Sequence, residues 1–172
     1  MKQFITLIFI IVIIGCTQSD NTVPENKTLI LPDSVSAVDL GRTIDSLNDK
    51  FKYDLSLLLL QKLIVKSNDS MKFVCFLYES LTYKRLFKYD DVFRCLDSAQ
   101  LYGLRCSNPE YYLNKISAER AFALFDTQQY EQADTVMQLL REKEFKGLTN
   151  QQQAFIIMQE GYIDFGRKNY KA

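Results

Sequence analysis

The chain has no histidine and no tryptophan among its 172 residues. Without histidine there is no Ser-His-Asp or Cys-His arrangement. The commonest metal ligand is gone, and so is the side chain best suited to proton transfer near neutral pH. Glycine and proline are scarce, at 6 and 3, too few for an all-β chain with many tight corners. Net charge is missing as well. The 21 basic residues balance 21 acidic ones, which leaves no long-range field to steer nucleic acid. Adjacent acids such as Asp90 and Asp91 do not face one another on a helix, so they give no reason to expect a catalytic carboxylate pair. Three cysteines follow residue 16, and none stands in a CxxC spacing. Cys75 and Cys95 read as small buried apolar residues, and Cys106 falls near an expected loop. No catalytic residue, metal or cofactor is expected.

What is present starts at the N-terminus. Lys2 precedes an apolar run from Phe4 to Ile14, 11 residues long, followed by Gly15 and Cys16. A membrane-crossing helix needs about 20 residues, so the run reads as the core of a signal peptide. The stretch Ile13-Ile14-Gly15-Cys16 resembles the bacterial lipobox. That resemblance implies cleavage after residue 15 and acylation of Cys16, where several acyl chains together give stable anchoring. Residues 16–33 are polar, with two prolines and no helical period, and read as a lipidated tether. No acidic cluster follows Cys16, which favours an outer-membrane lipoprotein facing the periplasm.

Residues 34–172 form the expected folded domain, and at 47% hydrophobic the chain can bury a core. The tetrapeptide FKYD occurs twice, ending its aromatic pair at Tyr53 and Tyr89. Continuing the spacing leads to Tyr130 and Tyr170, at intervals of 36, 41 and 40. Nine residues before each tyrosine stand Ile44, Ser80, Ala121 and Gly161. Three after stand Ser56, Val92 and Ala133, and seven after stand Leu60, Leu96 and Met137. Small and apolar residues recurring on one helical face predict a helix, a short turn just before the tyrosine, and a second helix. Asn108 and Pro109 read as N-cap and first helical residue, and Thr149 with Gln152 as a capping box. Gly103 and Gly147 read as left-handed helix ends.

The pattern resembles the tetratricopeptide repeat, most closely at Ala121, Tyr130 and Ala133. The resemblance implies an all-α fold: a right-handed superhelix of stacked antiparallel hairpins, about three and a half repeats over Val35 to Ala172. It also implies that first helices line a concave groove. Eight residues before each anchor stand Asp45, Leu81, Phe122 and Tyr162; five before stand Asn48, Lys84, Phe125 and Phe165. Leu81, Lys84, Phe122, Phe125, Tyr162 and Phe165 are the peptide-groove candidates, with core packing the competing role for the phenylalanines. Lys84, Arg85 and Asn48 are too scattered along the sequence to claim a clamp for a peptide's carboxyl end.

The last hairpin begins with an apolar helix from Asn150 to Arg167 and breaks off after Tyr170. Three readings stay open: the sequence is a fragment of a longer protein, its end docks on a copy of itself or another subunit, or its last helix folds back. The expected function is a non-catalytic, lipid-anchored module binding a protein or peptide at the bacterial cell envelope. The alternative is the periplasmic sensory half of a membrane signalling protein or transcription regulator.

Overall fold

A computed structural model of the chain describes residues 36–169. The signal peptide, Cys16, the tether and Tyr170 lie outside the described residues. Among those described there are seven helices and no strand: α1 (Ala37–Asp49), α2 (Tyr53–Lys66), α3 (Asp69–Arg85), α4 (Tyr89–Gly103), α5 (Pro109–Asp126), α6 (Tyr130–Glu142) and α7 (Asn150–Asn169). Each helix packs against the next in the chain. In addition α1 touches α3, and α5 touches α7. The result is three helix–turn–helix hairpins followed by α7.

The duplicated FKYD has a conformational cause. Phe51 and Phe87 have φ of 56° and 57°, and Gln128, at the same place in the third hairpin, has 62°. In each turn the next amide closes a six-residue ring: Lys52 N to Leu47 O at 2.9 Å, Lys88 N to Tyr83 O at 3.1 Å, Gln129 N to Leu124 O at 2.8 Å. The left-handed residue itself donates to Asn48 O, Lys84 O or Phe125 O, each at 3.0 Å. This paired pattern is the Schellman end of a helix, normally built on glycine. The tyrosine then opens the second helix, and the following acid (Asp54, Asp90 or Glu131) meets the positive end of its dipole.

The recurring small and apolar residues are the core. Ile44, Ser56, Leu60, Ser80, Val92, Leu96, Ala121, Ala133 and Met137 are all buried. Burying each large apolar side chain contributes about 1.5–3 kcal/mol. Gly161, the fourth member of the small series, is exposed, and a Cβ there would meet nothing within 4 Å. Cys75 and Cys95 are buried free thiols. Burial, with the Glu79 carboxyl beside them, pushes both up to about 12. Cys106 is half-buried, and its Sγ donates to Tyr102 O at 3.3 Å.

The helix starts agree with the sequence. Asn108 Oδ1 accepts from Tyr111 N. Thr149 N donates to Gln152 Oε1 at 3.1 Å while Gln152 N donates back to Thr149 Oγ1 at 3.3 Å, the reciprocal capping box. Three helix ends differ from expectation. Gly103 is the last residue of α4 and is not left-handed. Its value is proximity, since a Cβ would sit 3.1 Å from Tyr112 Cβ and 3.4 Å from Phe73 Cδ2. Gly147 is left-handed as expected, but α6 already ends at Glu142, because Glu144 and Phe145 also take the left-handed conformation and residues 143–146 form a turn. Finally α7 runs through Asn169, where residues 166–169 were expected to turn.

Candidate functional site

The Asp45 and Asn48 side chains are one turn apart on α1, and Leu81 and Lys84 are one turn apart on α3, so each pair shares a helix face. These four residues line one cleft of about 670 Å³ with Arg85, Phe87, Tyr89 and Asp126. The volume lies within the range of ligand-binding clefts, about 300–1,000 Å³. Successive hairpins therefore contribute their first helices to one surface, and the second turn adds two aromatic rings.

Fixed ion pairs frame the cleft. Lys84 Nζ lies 3.4 Å from Asp126 Oδ2 and 5.3 Å from the centre of the Phe122 ring. Arg85 Nη1 donates to Asp49 Oδ1 at 2.7 Å, joining the first hairpin to the second. Beneath them Asn48 Nδ2 donates to Thr82 Oγ1 at 3.1 Å, and Thr82 Oγ1 donates to Tyr78 O at 2.9 Å. Asn48 Oδ1 is buried and has no hydrogen-bond partner among the described residues. Burial raises the Tyr89 hydroxyl's pKa, reinforced by Asp126. Glu119 is raised too, mainly by burial. Lys84 and the Gln152 hydrogen bond oppose that rise, and Asp126 adds to it.

Of the residues singled out from the sequence, Leu81 and Lys84 line the cleft, as do Asp45 and Asn48 at matching offsets. Arg85, Lys84 and Asn48, scattered in sequence, also meet there. Phe122 does not line it. Only 5% exposed, it packs edge-on against Phe155 with ring centres 5.0 Å apart. Phe125 packs against that same core and edge-on against Tyr130. Tyr162 and Phe165 are 63% and 68% exposed on α7 and are not among the residues lining the cleft. Phe87, Tyr89 and Asp126 were not anticipated as site residues. The signal for Phe87 was the tetrapeptide itself, since a phenylalanine 79% exposed at a left-handed turn has no core role.

Among the described residues no group of three or more His, Cys, Asp or Glu side chains is placed to hold a metal ion. No described helix is long and apolar enough to cross a membrane. No protein-family model, no curated protein and no solved structure matches the chain.

Proposed function

We propose that this chain is a lipid-anchored helical-repeat protein that holds a protein or peptide partner at the bacterial cell envelope and does no chemistry of its own. Its three hairpins and α7 are read as tetratricopeptide-like units of a right-handed superhelix. Cys16 carries the lipid, in the outer membrane facing the periplasm. The observation that supports the binding role is the cleft. It is lined by the aromatic Phe87 and Tyr89, the apolar Leu81, and the charged Asp45, Lys84, Arg85 and Asp126. An extended peptide can place an apolar side chain against such rings and satisfy its polar groups at the edge.

Two substitutions test this reading without damaging the core. Asp45 and Phe87 are exposed, so Asp45→Lys with Phe87→Ala should leave the helical circular dichroism unchanged. The double variant should lose the partner that the unaltered chain captures from solubilised envelope. Equal capture by both would move recognition elsewhere. Separately, Cys16→Ala should shift the protein from membrane to soluble fractions, and retention would remove the anchor.

A further inference from the structure

Helix α7 carries a second surface, independent of the cleft. Phe155, Met158, Tyr162 and Phe165 are between 41% and 68% exposed. They follow one another at steps of three, four and three residues. That 3.5-residue period keeps one stripe of a helix turned toward another helix. Ala154 and Gly161 lie in the same stripe, and the space over Gly161 is open to 4 Å, so a second backbone can come close. Forty residues earlier, α5 has Ala118, Ala121, Phe122 and Phe125 at the places of Met158, Gly161, Tyr162 and Phe165, and there they belong to the core or pack on it; only Phe155 has a polar counterpart, Lys115. The α7 stripe thus has the composition of a covered face.

We propose that a second copy of this chain covers it, α7 against α7 in antiparallel orientation. The stripe is complementary to itself. With Glu160 at the centre, Phe155 of one copy faces Phe165 of the other, and Met158 faces Tyr162. Two aromatic pairs and two sulfur–aromatic contacts result, both favourable geometries. Glu160 marks only the axial midpoint: it lies on the opposite side of α7, buried and ion-paired with Arg141 of α6, so no carboxylate stands between the two helices at that level. The exposed parts of these four side chains amount to about 450 Å² per copy. A two-fold pair would bury on the order of 900 Å² through them, the size of a weak, exchanging interface.

The register gives a sharp test on the full chain in mild detergent. With a short bis-maleimide, Phe155→Cys combined with Phe165→Cys should yield a cross-linked dimer beyond the background of the natural cysteines. Either single variant should not, because like positions lie about 15 Å apart along the two helices. In parallel, sedimentation should give the mass of two copies, falling to one for Tyr162→Asp with Phe165→Asp while helicity stays constant. A monomeric unaltered chain, a double variant without the dimer band, or single variants that cross-link as well as the double would overturn the proposal. So would an adduct at another mass, which would assign the stripe to a different protein or to a following segment of a longer chain.

Discussion

Gly147 has a φ of +80°, and a Cβ there would lie 2.7 Å from the Tyr111 ring. Both facts weigh against any other residue, so Gly147→Ala should cost about 1–3 kcal/mol, seen as a lower denaturant midpoint at unchanged slope. Glu79 makes a different prediction. Its carboxyl is buried in α3 beside Cys95 and Gln61, and desolvation raises its pKa. The two hydrogen bonds and Arg94 act against the rise, and Asp91 adds to it. The folded state therefore keeps a proton that the unfolded chain gives up over the interval between the ordinary and raised values. Stability from this group is complete in acid and declines as pH climbs through the raised value. Glu79→Gln should raise the melting temperature at pH 8 and do so much less at pH 4; an equal change at both would show that Glu79 does not titrate differently on folding. At this scale sequence reading reached its limit at Phe122 and Phe125. The resemblance to the tetratricopeptide repeat implied the groove side of α5 for them, but α7 closes over Phe122 and α6 over Phe125. Whether a neighbouring helix covers a residue depends on contacts distant in sequence.

The elements were far more legible. Helix beginnings are local events. Asn108, Pro109 and the Thr149–Gln152 pair act on amides within three residues, so their types announce them. The tyrosine anchors succeeded because one turn geometry recurs at each of the first three. Helix ends were harder, because the left-handed residue there is not a glycine in α1, α3, α5 or α6. Phenylalanine in that conformation costs about 1–2 kcal/mol relative to a right-handed one, and Phe87 recovers little by burial. Phe87→Gly should therefore stabilise the chain by about 0.5–1 kcal/mol and at the same time weaken partner capture. Thermal unfolding and a binding assay on one preparation check both. A stabilised variant with undiminished binding would mean that Phe87 has no part in recognition.

For the whole molecule, consecutive hairpins bring Asp45, Asn48, Leu81, Lys84 and Asp126 into one cleft from three different first helices. Offsets from the tyrosines showed the first four but not the cleft they form, its aromatic residues or its ion pairs, which depend on how hairpins seat against one another. Recognition through this cleft by a protein held at the envelope is the central claim. The most direct measurement is photo-cross-linking in intact cells, with a benzophenone amino acid in place of Leu81 and, as control, in place of the exposed Gln138 on α6. Adduct formation with a discrete protein or peptide from position 81, absent at 138 and lost in the Asp45→Lys, Phe87→Ala background, is the predicted result. No adduct at 81, or the same adducts from both positions, would contradict it.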